Sequence, residues 1–86
     1  MKLQFTETGW EHYQHWQDTN PKLVVKINEL IKDCRRSPHS GIGKPEALRG
    51  NLAGWWSRRI NDEHRLVYRV EGDILIVSQC RFHYQR

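Results

Sequence analysis

With 86 residues the chain suffices for a single domain spanning 1–86, and it buries only about 60–65% of the surface its unfolded form exposes, so its core is thin. Fourteen Lys and Arg, nine of them Arg, against ten Asp and Glu leave +4 and a pI near 9.4, which suits a polyanionic partner. No run of about 18 apolar residues could span a membrane, the first residues lack a leader's apolar stretch, and Cys34 and Cys80 make neither a disulfide framework nor a zinc-finger spacing; a cytoplasmic protein with two buried thiols is expected.

Lys2, Leu3, Gln4 and Phe5 alternate polar and apolar and predict a short strand. Thr8-Gly9-Trp10-Glu11 has capping-box spacing, with Thr6 as the alternative cap, and opens a first helix. Trp10, Tyr13 and Trp16 fall at i, i+3, i+6 and predict an aromatic stripe on one side of it. Asn20-Pro21 ends that helix, because the residue before proline leaves the helical region, and starts the next, with Asn20 as cap and Pro21 in the first turn. Leu23, Ile27, Leu30, Ile31 and Cys34 then form an apolar stripe, and Lys32, Arg35 and Arg36 close the helix at the negative end of its dipole. Residues 37–45 are a loop by every turn signal, and 48–52 are expected to add a short strand or extended piece. The period then changes to two. Strands are predicted at 55–60, 64–70 and 74–82, with turns at 61–63 and 71–73. The order β-α-α-β-β-β predicts an α+β fold, an antiparallel sheet with two helices packed on one face.

Charge is uneven along this layout: residues 1–21 carry −2, 22–36 carry +3 and 44–86 carry +3. In the strand at 64–70, Leu66, Tyr68 and Val70 point one way while Arg65, Val67 and Arg69 point the other. Alternation permits Arg59, Arg65, Arg81 and His83 to share the face away from the helices, where hairpin register allows it. Adjacent Trp55 and Trp56 face opposite sides, one toward the core. Such a cationic face suits RNA cleavage. RNA carries its own nucleophile, the 2′-hydroxyl, so cutting needs a base for that proton, cations for the crowded phosphorane and an acid for the leaving 5′-oxygen. Glu46, the lone carboxylate in Lys44-Pro45-Glu46-Ala47-Leu48-Arg49, is the candidate base. Arg59 and Arg65 are candidate phosphate holders, and His83 is the candidate acid. The scheme requires no metal or cofactor, and the sequence offers no cluster of metal ligands. Taken singly, these residues also read as a solvated loop acid, exposed strand charges and a surface histidine. The residues alone describe a basic α+β domain suited to RNA.

Lys44-Pro45-Glu46, Asn51-Leu52, Ser57-Arg58-Arg59-Ile60, Glu63-His64-Arg65-Leu66-Val67-Tyr68 and Cys80-Arg81-Phe82-His83-Tyr84, with Ile27-Asn28-Glu29-Leu30-Ile31-Lys32-Asp33 and the following Arg35-Arg36, occur in this order. Together they resemble the YoeB (Txe) toxin family of bacterial type II toxin–antitoxin systems, and the likeness runs from Met1 to Tyr84. The resemblance implies the compact RelE/ParE-like fold and a metal-independent endoribonuclease that enters the ribosomal A site and cuts the bound messenger RNA. It implies a YefM-type (Phd-like) antitoxin as partner, binding of operator DNA only through the toxin–antitoxin complex, and a homodimer. It assigns Glu46 as general base, His83 as general acid, Arg65 as the transition-state cation and Tyr84 as a positioning residue, with Arg59, Arg49 and Lys44 as RNA- or phosphate-binding cations. Arg49 stands where the family pattern has Lys, Ala47 where it has Pro, and Gln85 and Arg86 follow the usual terminal His-Tyr. The rival readings are a ParE-like poison of DNA gyrase, which is not expected to combine this Glu with a His-Tyr end, and a non-catalytic RNA-binding module.

Overall fold

The computed structural model describes residues 1–84. Its elements run β1 (Lys2–Phe5), α1 (Glu7–Thr19), α2 (Pro21–Arg36), β2 (Glu46–Ala47), β3 (Trp56–Arg59), β4 (Arg65–Glu71) and β5 (Ile74–Gln79), with a 3₁₀ turn at Gly50–Leu52. The strands form one sheet in the order β1-β5-β4-β3-β2. From β2 to β5 neighbours are antiparallel, but β1 lies parallel to β5, with Lys2 opposite Ile74 and Phe5 opposite Val77. The expected antiparallel sheet is therefore corrected to a mixed one. The α1–α2 pair carries the chain away from β1 across one face, and a long crossover of that kind is what a parallel pairing requires.

The first helix begins at Thr6, the alternative cap, rather than at Thr8. Thr6 Oγ1 accepts from the Gly9 N–H at 3.1 Å and donates to the Ser78 carbonyl at 3.3 Å. The Thr6 N–H donates to the Val77 carbonyl at 2.9 Å, so the cap is also the last point of β1 held by the sheet. A Cβ at Gly9 would come within 2.5 Å of the Val77 carbonyl oxygen, so glycine is what lets α1 lie this close to β5. The aromatic stripe divides. Six residues at 3.6 per turn fall about 120° short of two full turns. Trp16 therefore turns into the core, while Trp10 and Tyr13 join Phe5 in a ring cluster with centroids 5.3 to 5.9 Å apart.

The second helix follows its pattern. Asn20 accepts from the Leu23 N–H at 3.3 Å, and Ile27, Leu30, Ile31 and Cys34 are buried against Leu66, Tyr68, Leu75 and Val77. Both cysteines are buried, and burial pushes their thiols up to about 11 for Cys34 and about 12 for Cys80, so they pack as protonated groups. No described helix is long and apolar enough to cross a membrane.

Two strand boundaries differ from expectation. The short strand before β3 is Glu46–Ala47, whereas residues 50–52 turn as a 3₁₀ helix through Gly50 at φ +63°. β5 ends at Gln79 and not at 82, because Tyr68 is opposite Val77 while Val67 is opposite Gln79. Ser78 is left as the extra residue of a β-bulge, and its hydroxyl donates to the Val67 carbonyl at 3.4 Å.

Alternation in β3 turns Trp56 and Arg58 toward the helices, and Arg58 is fully buried. Its Nε donates to the Tyr68 hydroxyl at 3.0 Å. Its Nη1 donates to the Asp33 carboxylate and to the Ile42 carbonyl at 3.0 Å, and its Nη2 to the carbonyls of Ser37 and Ser40 at 2.5 and 2.8 Å. All five guanidinium N–H donors are thus used. The Arg58 hydrogen bond, and then that of the Ile42 N–H, hold the Asp33 carboxyl below its ordinary 3.8. A lowered native pKa stabilises the fold above the unfolded value, so this contribution is complete above about pH 3.8 and is lost as pH falls through the native value. Arg58→Met is expected to lower stability in urea by about 3–5 kcal/mol, the range for removing one partner of a buried ion pair. A loss under about 1 kcal/mol, the scale of an exposed pair, would show that the loop closes without it.

Candidate active site

Strand register defines one row of residues on the face away from the helices. Glu46 pairs with Ser57, Ser57 with Val67, and Val67 with Gln79. At about 4.8 Å per strand the row is roughly 14 Å long. Arg59 and Arg65 pair with each other in the next row on the same face. Glu46, expected in a loop, belongs instead to the edge strand β2, which fixes its backbone against β3.

Two cavities flank this row. Glu46 and Arg49 line one of about 580 Å³ with His39, Pro45, Ala47 and Trp56. His83 lines another, of about 310 Å³, with His12, Leu52, Val67 and Gln79. The structure thus brings Glu46, Arg59 and Arg65 to one face and Arg49 beside Glu46, but it sets Glu46 and His83 at opposite ends. Lys44 is exposed, at φ +53°, two residues before Glu46. Tyr84 is half-buried, with its ring 4.7 Å from that of His83. Arg81 departs from the expected grouping: its guanidinium lies 4.4 Å from the Phe82 ring and 5.9 Å from Trp16 of α1. With β5 ended at the bulge, strand alternation no longer governs residue 81. Gln85 and Arg86 lie outside the described residues.

The two paired arginines differ in kind. Arg65 is 8% exposed, and its Nη1 donates to the carbonyls of Asn61 at 2.7 Å and His64 at 3.1 Å. That fork is held in place by the turn before β4. Arg59 is exposed, and its N–H donates to the Gly43 carbonyl at 2.7 Å, which leaves its side chain facing solvent. The Trp pair divides as alternation requires: Trp56 packs against the core, and Trp55 lies under the Arg69 guanidinium at 4.6 Å.

Sequence reasoning passed over four residues that shape the site. His39 stacks on Trp56 at 4.4 Å and 25°, giving the Glu46 cavity an aromatic wall. Arg58 anchors the loop that carries His39. His12 and His64 touch the segment leading to His83. The parity shared by Trp56 and Arg58 was the signal available for Arg58; the histidines carried none, because their partners, the Trp56 ring for His39 and backbone N–H groups for His12 and His64, are distant in sequence. A larger concavity, about 770 Å³, lies elsewhere, between β1 and the helices, and its lining includes Leu3, Phe5, Trp10, Arg35 and Arg36. It contains none of the candidate residues. Among the described residues, no group of three or more His, Cys, Asp or Glu is disposed to hold a metal ion.

The model of the YoeB-like toxins of bacterial type II toxin–antitoxin systems matches residues 5–84. The chain is 57% identical over 84 residues to the toxin YoeB of Escherichia coli K12, covering 98% of this chain and 100% of that one. The chain belongs to the YoeB toxin family. It is therefore a toxin of a type II toxin–antitoxin system. Its fold matches that of a YoeB/ParE toxin from Agrobacterium tumefaciens, with TM-score 0.95 and 55% identity over 98% of this chain and all of that one. It also matches YoeB of Staphylococcus aureus in a YoeB–YefM complex, with TM-score 0.90 and 46% identity over 98% of each chain, and as a YoeB dimer, with TM-score 0.91 and 45% identity over 98% of each.

The contrast between the arginines is measurable in this YoeB-family chain. Arg65→Met removes the charged hydrogen bonds to the Asn61 and His64 carbonyls from a buried position and is expected to cost about 1–3 kcal/mol in urea unfolding. Arg59→Met, at an exposed position, is expected to stay within about 0.5 kcal/mol. Equal losses would contradict the different anchoring of the two side chains.

Proposed function

We propose that this YoeB-family toxin is a metal-independent endoribonuclease that cuts messenger RNA in the ribosomal A site and so stops translation. The observation that carries the reading is the face that Glu46 shares with the Arg59–Arg65 pair of the neighbouring row, while His83 lines a cavity at the other end of the Glu46 row. In an in-line displacement the attacking and leaving oxygens lie on opposite sides of phosphorus, so a base and an acid entering from opposite ends suit it. Glu46 takes the 2′-hydroxyl proton as the 2′-oxygen bonds to phosphorus. Arg65 and Arg59 stabilise the phosphorane, and His83 gives a proton to the leaving 5′-oxygen. The products are a 2′,3′-cyclic phosphate and a 5′-hydroxyl. Because Arg65 is already held by carbonyls, its charge is in place before the phosphorane forms.

Supporting features surround this centre. Arg49 and Lys44 extend the positive edge along β2 for the phosphodiester backbone. The His39–Trp56 stack offers an unpaired base a flat surface beside Glu46, as single-stranded RNA recognition needs. Tyr84 packs beside His83 and positions it. The partner is a YefM-type (Phd-like) antitoxin, as in the Staphylococcus aureus complex, which masks the site and brings the toxin to operator DNA. The toxin dimerises as that relative does, and acts in the cytoplasm as a single domain spanning 1–86.

Mapping of messenger cleavage with and without ribosomes tests the reading. Cuts are expected at ribosome-occupied codons, with Glu46→Gln and His83→Gln each slowing cleavage by about 10²–10⁴-fold, the usual contribution of a positioned proton transfer. Both variants are expected to keep the wild-type urea midpoint. Full toxicity in both would sink the acid–base assignment, and dispensable Glu46 and His83 beside essential arginines would favour a binding module.

A further inference from the structure

Beyond Gln79 the chain leaves the sheet, yet its backbone is gripped from several sides. The Trp16 indole donates to the Cys80 carbonyl at 2.8 Å, and the Arg65 N–H donates to the Phe82 carbonyl at 3.0 Å. The Gln79 side-chain amide donates to the carbonyls of Arg81 and Phe82 at 2.8 and 3.2 Å. Two of the segment's N–H groups end on histidines: that of Cys80 on His12 Nδ1 at 3.2 Å, and that of Phe82 on His64 Nδ1 at 2.8 Å. His12 comes from α1 and His64 from the turn before β4, so the segment is pinched between two elements. Phe82 has φ +65°, a conformation strained for a bulky residue, which persists only where the surroundings over-determine it. Its ring lies 5.8 Å from His12 and 6.3 Å from His64. The residue that follows is His83.

An imidazole nitrogen accepts a hydrogen bond only while it carries no proton. We propose that His12 and His64 are positioning residues which, as neutral acceptors, hold the C-terminal segment so that His83 faces the sheet row, and that protonation of either one frees the N–H it holds. This rests on the reading of His83 as the acid; the hold itself does not.

The surroundings favour the neutral form. His12 faces Arg81 of the held segment, Glu11 and His15 of its own helix, and His64. His64 faces Glu63, whose carboxylate is 4.0 Å from its Nε2, together with Arg81, His15 and Arg65. Burial and then Arg81 lower His12 from 6.5, with Glu11 opposing; burial lowers His64, with Glu63 opposing. The folded state thus binds fewer protons than the unfolded one. The hold is complete above about pH 6.5 and is lost as pH falls through the lowered native values. A proton on either ring would also set a new cation beside Arg81.

The test uses the full chain and two readouts. Asn carries its side-chain oxygen near the place of Nδ1 and does not titrate, so His12→Asn and His64→Asn retain the acceptor. Phe keeps the ring but removes it. In the wild type, exchange of the Cys80 and Phe82 amides, corrected for intrinsic rate, is expected to accelerate at least about tenfold between pH 7.5 and 5.5 as the hold opens locally. In His64→Asn the Phe82 amide stays protected at both pH values, and the acid limb of the cleavage profile moves to lower pH. His64→Phe leaves that amide unprotected throughout. Its kcat falls on the order of 10- to 100-fold with KM unchanged, the scale expected when a reacting group is displaced by about 1 Å. Protected amides and wild-type kcat in both Phe variants would overturn the proposal, as would wild-type-like acid exposure of the amides in both Asn variants. If His83→Gln cleaves normally, the reading of His83 as the acid fails, and the exchange data still decide the hold.

Discussion

A single buried guanidinium organises the half of the molecule that carries Glu46. Arg58 donates to Tyr68 in β4, to Asp33 in α2, and to three carbonyls of the loop between α2 and β2. The Tyr68 hydroxyl in turn donates to the Pro38 carbonyl at 2.6 Å. A loop rich in Pro, Gly and Ser would otherwise retain much conformational freedom. Here its carbonyls have one fixed, charged donor group, so the loop closes over the sheet along a defined path. Gly41 shows how tight that path is: a Cβ there would meet the Asp33 carboxylate at 2.0 Å. The loop then delivers Gly43 to the Arg59 N–H and Glu46 to Ser57. The position of the candidate base is therefore a consequence of a buried ion pair several residues away.

The other half depends on an irregularity rather than on an anchor. In β5, Leu75 and Val77 face the helices. Unbroken alternation would have turned Gln79 inward and Cys80 outward. The bulge at Ser78 reverses this: Gln79 joins the row with Val67, and Cys80 enters the core. The reversal lets the chain leave the sheet with His83 on the same side as Glu46. Bulges that redirect a side chain next to a functional centre act by this change of parity.

These two devices mark the limit of what could be read in the residues. Both helices and their caps were legible, because a 3.6-residue period and an Asn-Pro boundary are local signals. The hairpins were legible for the same reason. The parallel pairing of β1 was not, since it joins residues more than seventy positions apart and leaves no local trace. Arg58 and Arg59 look alike in sequence, yet one is fully buried and the other exposed. The alternation around Trp56 implied as much, and an inward arginine requires an acid, which Asp33 supplies from the polar edge of the α2 stripe. The residues of the candidate site were recognised by motif; their separation into two cavities became visible only with register and the bulge in hand.

The net charge of +4 turns out to be a poor description of the electrostatics. Arg58 is neutralised by Asp33, which Arg36 also contacts at 2.7 Å, and Arg69 pairs with Glu71 at 3.0 Å over Trp55. Arg65 is enclosed among carbonyls. Arg59, Arg49 and Lys44, all exposed, lie along the β2–β3 edge. Lys22, Lys32, Arg35 and Arg36 of α2 are exposed as well, so the exposed positive charge falls into two groups, one on α2 and one beside Glu46. The same logic bears on the His83 end. A proton on His12 or His64 would add repulsion toward Arg81. Holding that segment through uncharged nitrogens keeps further positive charge away from Arg81.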